Sequence, residues 1–208
     1  MAVALIDADP LFYKLALGAK DREDYPDHYI KKDLSSMFKT VQDDAKCNTY
    51  RAFMTNKNYR YGFASLKKYK GQRKEKPQYL AKIREVGAEL CSELGLEIDS
   101  MIEADDKIGI AAGMLRERGT DYVVCTIDKD LNQIQGNHYT WSITKADRTK
   151  TEPKWYTVQE IDGIRYLYEQ CLSGDTVDNI GGLSGVGTKK ATKILQDCET
   201  EVQLWEKC

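Results

Sequence analysis

Histidine and proline are scarce in this chain: two of the first (His28, His138) and four of the second among 208 residues. The six cysteines, at positions 47, 91, 125, 171, 198 and 208, form no CxxC pair. Zinc fingers, disulfide scaffolds and haem attachment are poor readings of such a pattern. Unpaired thiols suit a reduced compartment, so a cytoplasmic location is expected. No apolar run approaches membrane-spanning length, the longest near the start being Ala2 to Ile6. A basic-then-apolar leader is also missing, so neither export nor a membrane partner is expected. Charge of neither sign dominates: 31 Lys and Arg stand against 33 Asp and Glu, for a net −2. Nucleic-acid-binding domains are often basic, so the total alone argues against one. What is present is ordinary for a globular chain, with 41% hydrophobic and 31% charged residues, too apolar for disorder. The length suits one α/β domain, or a catalytic domain with a small appendage, and is enough to bury a full core.

The distribution of charge says more than its sum. From Lys57 to Arg84 there are ten basic residues and a single acid, Glu75. Tyr59, Tyr61, Phe63 and Tyr69 are interleaved with them. A charge run alone reads as a solvated face. Rings among cations are also what a single-strand groove needs, since cations hold phosphates and rings stack on bases.

Val3-Ala4-Leu5-Ile6 is a continuous apolar run ending at Asp7, which predicts a buried strand of a parallel sheet. Pro10 suits the first turn of a helix through about Gly18. Leu34, Met37, Phe38 and Val41 predict an amphipathic helix from Asp33 to about Lys46. Tyr50 to Met54 reads as a second strand, and 55–77 as a basic loop without clean periodicity. Helices are predicted over Gln78 to Leu94 and Ala104 to Arg118, the latter closed by Gly119. Tyr122 to Ile127 is the strongest strand, and His138 to Ile143 a later one. Thr157 with Glu160 reads as the capping box of a helix to Leu172. A last helix spans Thr188 to Leu195. Alternating strands and helices predict a parallel α/β sheet. His28 and His138 are expected at the surface or in packing, and Trp141, Trp155 and Trp205 in the core or in packing.

In such folds chemistry gathers at the carboxyl ends of the strands. Eight carboxylates fall at element ends: Asp7, Glu103, Asp105, Asp106, Asp128, Asp130, Asp175 and Asp178. Without them the rest of the chain is net basic, as suits a protein that holds a polyanion around an acidic pocket. Each Asp taken singly is an ordinary helix cap or turn residue. As a set, like charges cannot all stay ionised together without a counter-charge. Hard divalent cations supply it, and Mg²⁺ or Mn²⁺ suits an all-oxygen ligand set. Two such ions activate water and stabilise the leaving oxygen in phosphodiester cleavage. Near the end, Gly181-Gly182-Leu183-Ser184-Gly185-Val186-Gly187-Thr188-Lys189-Lys190 lies between two predicted helices. It reads either as a glycine-rich loop or as a helix–hairpin–helix clamp whose backbone N–H groups hold a DNA phosphate. The P-loop pattern is absent.

With these residues in hand, the chain resembles the structure-specific 5′ nuclease family, meaning phage and bacterial 5′→3′ exonucleases and flap endonucleases. Five blocks match in order: LIDAD (5–9), YKGQR (69–73), EADD (103–106), TIDKDLNQI (126–134) and LSGDTVDNIGGLSGVGTKKA (172–191). YTWSITKAD, followed by a helix leading into LSGD, looks most like the phage exonuclease branch. The resemblance implies a PIN-like, mainly parallel sheet flanked by helices over 1–150, with 57–102 as basic loop and short helical arch. A C-terminal helix–hairpin–helix subdomain would occupy 151–208.

The resemblance also implies a Mg²⁺-dependent 5′→3′ exonuclease or flap endonuclease with two metal ions, Mn²⁺ substituting. Asp7, Glu103, Asp105, Asp106, Asp128 and Asp130 would surround the first ion. Asp130, Asp175 and Asp178 would serve the second, with Asp128 between. Lys70 and Arg73 match basic residues near the scissile phosphate, with Tyr69 and Lys74 beside them. Gly185, Gly187, Lys189 and Lys190 would grip duplex DNA, often with a bound K⁺. The implied partners are duplex 5′ ends, flaps or branched DNA, and RNA–DNA hybrids, met by a monomer. Two departures stand out. Thr55 occupies the place where relatives carry an Asp after the second strand. Only about thirty residues separate Arg73 from Glu103, a short arch. Two other readings share parts of this pattern: a structure-specific DNA-binding protein with weakened chemistry, and a PIN-type endoribonuclease.

Overall fold

The computed structural model describes residues 1–56, 77–144 and 148–208. Two compact units divide the described chain. The first holds Met1 to Leu131, apart from the undescribed segment, and Gly136–Tyr156; the second holds Asn132–Gln135 and Thr157–Cys208.

The first unit is built on β1 (Val3–Asp7), the apolar run read from the sequence. Parallel neighbours flank it on both sides, β2 (Thr49–Thr55) and β4 (Tyr122–Cys125). A strand so enclosed has no solvent face, which is why Ala4, Leu5 and Ile6 are all fully buried. β3 (Leu96–Asp99) pairs with the far side of β2, and β5 (Gly136–Thr140) with the far side of β4, both parallel. With β6 (Lys154–Val158) the six-stranded order is β3-β2-β1-β4-β5-β6. Strands thus run outward from β1 in one direction, then return to its other side. That reversal places a switch point between the carboxyl ends of β1 and β4, where open α/β sheets bind ligands.

Helices α1 (Asp9–Gly18), α2 (Asp27–Asp44), α3 (Leu80–Glu89) and α4 (Ala104–Glu117) complete the unit. Pro10 sits in the first turn of α1 as expected, and Gly119 follows α4 with φ +64°. Helix α2 starts earlier than its predicted Asp33, because Ile30 extends the buried stripe of Leu34, Phe38 and Val41 by one turn. Helix α3 ends before its predicted Leu94. The chain turns at Gly95 (φ +57°) into β3, for which the sequence predicts no element. Gly87 lets α3 approach α1: a Cβ there would stand 2.6 Å from Cε1 of Phe12, whose ring is fully buried. Gly87→Ala is expected to lower stability by about 1–3 kcal/mol, through a ring that has nowhere to retreat, as thermal melting would record.

In the second unit, α5 (Glu160–Ser173) leads into a two-residue antiparallel pair, β7 (Gly174–Asp175) and β8 (Ile180–Gly181). Helices α6 (Thr188–Leu195) and α7 (Glu201–Lys207) follow. Leu172, Ala191, Leu195, Cys198 and Leu204 form its core. Arg165 ties the unit together by donating to the Cys198 carbonyl at 2.8 Å.

Thr157 does not cap α5: it lies in β6, and Gln159 is the residue before the helix. The strand was hidden because four of its five residues are exposed, leaving no alternation to read. A capping box forms instead at Thr200, whose Oγ1 accepts from the Gln203 amide at 3.3 Å, opening a helix that was not anticipated. Of the three tryptophans Trp141 is buried and Trp155 packs against the Tyr139 ring at 5.3 Å, as expected, while Trp205 is exposed. His138 is a packing residue, fully buried and stacked on Tyr156.

Candidate active site

Asp7 ends β1 and is 2% exposed. A carboxylate so buried needs donors for both oxygens. Oδ2 has one: the Thr126 hydroxyl donates to it at 2.9 Å. Oδ1 is buried with no hydrogen-bond partner. Its electrostatic surroundings are acidic. Burial pushes the Asp7 carboxyl well above the usual range, and the charges of Asp105, Asp9 and Asp128 push it further, against a smaller lowering by Thr126. Carboxylates from α1, α4 and the turn after β4 therefore all act on the one that ends β1 at the switch point.

Local hydrogen bonding explains how each comes to be there. After β4, Thr126 is buried, and its hydroxyl both donates to Asp7 and accepts the Asp128 amide at 2.9 Å. Asp128 Oδ1 in turn accepts the Asp130 amide at 3.0 Å, opening a 3-10 turn over Lys129–Gln133. One hydroxyl thus links the β1 carboxylate to the loop that carries two more.

At the start of α4, Glu103 is the residue before the helix, is 3% exposed, and shares a reciprocal capping box with Asp106. Asp106 Oδ2 accepts the Glu103 amide at 3.4 Å. Acids in a first turn suit the helix dipole, so Glu103 and Asp106 have a structural role whatever else they do. Thr55, at the end of β2, also serves this helix: its Oγ1 accepts the Ala104 amide at 3.0 Å. The Thr55 amide donates to Asp9 Oδ2 at 3.3 Å, and Arg84 Nη1 lies 2.7 Å from Asp9 Oδ1.

The second unit carries Asp175 and Asp178. Asp175 Oδ1 accepts the amides of Val177 at 2.7 Å and Asp178 at 3.3 Å, a side-chain turn that sets both residues at the tip of the β7–β8 pair. Beyond it, the glycine-rich stretch turns at Gly185 (φ +72°) and meets α6 at Gly187, the residue before the helix. Lys190 Nζ donates to the Gly185 carbonyl at 3.4 Å, and both Lys189 and Lys190 are exposed.

The structure brings Asp105 and Asp128 close enough to act electrostatically on Asp7, with Asp130 bonded to Asp128 next along the chain. Glu103 and Asp106 bond each other at the helix start, and Asp175 and Asp178 share a turn in the other unit. Tyr69, Lys70, Arg73 and Lys74 lie outside the described residues. Asp9, Thr126 and Arg84 were not singled out from sequence. Asp9 has a signal, two residues after Asp7 in the same LIDAD block, beside the Pro10 that marks the first turn of α1. Among the described residues, no three His, Cys, Asp or Glu side chains stand as a ready-made metal cage. Local donors occupy Asp9, Asp106, Asp128 and Asp175. The donor set is nonetheless all oxygen, and the buried Asp7 Oδ1 lacks a partner. Those two features fit a hard divalent cation better than any soft metal.

Comparison with known proteins gives the class. Residues 2–162 match the sequence profile of the 5′-3′ exonuclease N-terminal resolvase-like domain. The chain belongs to that family. It is 34% identical to DNA polymerase I of Bacillus subtilis (strain 168) over 82% of its own length and 20% of that protein's. It is 30% identical to a 5′-3′ exonuclease of Halalkalibacterium halodurans over 66% of its length and 47% of the relative's. The chain thus spans a minor part of the curated relatives it matches. Among solved structures, bacteriophage T5 5′-exonuclease with zinc bound superposes with a TM-score of 0.65 at 15% identity. That match covers 100% of this chain and 88% of the other. The T5 flap endonuclease in a pseudo-enzyme-product complex with DNA and metal ions gives 0.68 at 16%, over 99% and 78%. These structural likenesses carry the fold: a mostly parallel central sheet flanked by helices.

Proposed function

We propose that the chain is a Mg²⁺-dependent nuclease that hydrolyses DNA phosphodiester bonds from 5′ ends or at 5′ flaps. The observation that carries the proposal is the Asp7 carboxylate, buried with one unpaired oxygen among the charges of Asp105, Asp9 and Asp128 at the sheet's switch point. Such an arrangement disfavours its own ionisation unless a cation is supplied. Family membership and relatives named for 5′-3′ exonuclease and DNA polymerase I support the reaction class. The T5 relatives described with metal ions and with DNA support the cofactor class and the partner.

Asp7, Asp105, Asp128 and Asp130 would hold one divalent ion, with Glu103 and Asp106 beside it. Asp175 and Asp178 would serve a second. When bound, the ions supply Lewis-acid chemistry at the scissile phosphate. The chain's own share is to fix the carboxylates. Thr126 orients Asp7 and the Asp128 turn together, and the capping box holds Glu103 and Asp106. Lys70 and Arg73 would neutralise the substrate's negative charge near the cut. Gly185, Gly187, Lys189 and Lys190 would hold a duplex phosphate away from it.

The test is a 5′-labelled duplex and a 5′-flap substrate, each with Mg²⁺ and with EDTA, beside Asp130→Ala. Wild type should release short 5′ products only with Mg²⁺. Asp130→Ala should lose cleavage by about 10³-fold or more while still retarding branched DNA on a gel, since it removes a carboxylate and not a phosphate contact. Wild-type turnover in that variant would remove the metal assignment. Retention of DNA without any Mg²⁺-dependent cutting by wild type would favour a DNA-binding protein with lost chemistry.

A further inference from the structure

We infer that Asp9 is an additional cation-ligating carboxylate, supplied by α1 over the end of β2, where the strand itself ends in a hydroxyl. The inference rests on the metal-site reading above and extends it to a residue outside that ligand set.

Consider first what the end of β2 offers. β1 and β2 pair in parallel register, with Asp7 opposite Phe53, and the Ala8 amide continues the ladder to the Phe53 carbonyl at 2.9 Å. Thr55 lies two residues further along β2, beside the site. Its hydroxyl is committed to the Ala104 amide, which opens α4. β2 therefore brings no negative charge to the switch point.

Asp9 brings it instead. It begins α1, two residues beyond Asp7, and its Oδ2 stands 3.3 Å from the Thr55 amide nitrogen. Its charge is among those that act on the buried Asp7 carboxyl. The Asp7 oxygen without a partner is the independent sign that this cluster is built for something beyond its own hydrogen bonds. Arg84 on α3 grips Asp9 Oδ1 at 2.7 Å. That contact does not spend the carboxylate, because each of its oxygens has two acceptor sites. It fixes the rotamer, as hydrogen-bonded carboxylates around metal ions are commonly fixed. A plain structural ion pair between α1 and α3 would need neither the approach to β2 nor the proximity to Asp7.

The experiment is Mn²⁺ binding to the DNA-free protein, followed by calorimetry or by the electron paramagnetic resonance signal of free Mn²⁺. Melting of each variant runs in parallel. Asp9→Asn keeps the size and one acceptor oxygen; its Mn²⁺ affinity should fall about tenfold or more. Arg84→Gln keeps the carboxylate but frees its rotamer, so it should melt earlier and weaken Mn²⁺ binding clearly less than Asp9→Asn does. Thr55→Asp added to Asp9→Asn puts a carboxylate back beside the same backbone position and should restore affinity. Equal Mn²⁺ affinity in wild type and Asp9→Asn would overturn the inference and leave Asp9 as a structural partner of Arg84. So would parallel losses of affinity in Asp9→Asn and Arg84→Gln without rescue by Thr55→Asp. Failure of the wild type itself to bind Mn²⁺ would overturn the metal-site reading, and the inference with it.

Discussion

Asp7→Asn should melt at a higher temperature than wild type in EDTA, yet cleave DNA at least about 10³-fold more slowly in Mg²⁺. Both halves come from one atom. Oδ1 of Asp7 is buried without a donor and is surrounded by carboxylates. In the asparagine, the carbonyl oxygen can keep the Thr126 hydrogen bond while the NH₂ takes the place of Oδ1. Two donors would then face the acidic neighbours where an acceptor had stood. Relief of that burial and repulsion should raise Tm by several degrees. The loss of charge should remove the cation site at the same time.

The pH dependence has a definite sign. The folded protein raises the Asp7 carboxyl above its ordinary value, so in the ionising range the native state binds more protons than the unfolded one. Stability in EDTA should therefore fall as pH rises from the ordinary carboxylate range through the raised value, then level off. In Asp7→Asn that part of the slope should vanish. Equal Tm for wild type and variant across this range would mean that the buried carboxylate carries no such strain.

Gly182→Ala should be strongly damaging to the second unit. A Cβ at Gly182 would lie 2.2 Å from the Ser173 carbonyl carbon and 2.4 Å from the Gly174 nitrogen. These are main-chain atoms at the end of α5, so no rotamer change relieves the clash. On the other side Gly174 sits at φ +72°, with its own Cβ position 2.3 Å from the Gly182 nitrogen. The two glycines make the backbone contact that closes the β7–β8 turn, and that turn carries Asp175 and Asp178. A loss of about 3 kcal/mol or more is expected, by overpacking against backbone. Cleavage should fall with it, since two proposed ligands move. Gly185→Ala, where no atom lies within 4 Å, should cost only the strain of its φ of +72°. Similar melting temperatures for the two variants would contradict this view of the turn.

The parts of the fold that rest on long, strongly patterned runs were legible. β1 and β4 are continuous apolar segments, and α4 has both a start signal in Glu103–Asp106 and a stop at Gly119. The parts that were hidden lacked that patterning. β3 is four residues long and buries only Leu96, too short a run to show an alternation. β6 buries only Val158, so its sequence looks like a loop. The site divided in the same way. Carboxylates at strand and helix ends could be named, because the α/β pattern says where ends meet. Thr126 and Asp9 could not. Their importance comes from which oxygen faces which donor, and a hydroxyl after a strand or an acid in a first helical turn has many ordinary reasons to be there.

In the proposed function, the carboxylates at the ends of β1 and β4 would together hold a divalent cation. Thermal melting of the wild type at pH 8 in EDTA and in millimolar Mg²⁺ tests it most directly. A cation at about 100 times its dissociation constant should stabilise the fold by about 2.7 kcal/mol, a rise of several degrees that Asp7→Asn should lack. An unchanged wild-type melting temperature in Mg²⁺ and in Mn²⁺ would contradict the account.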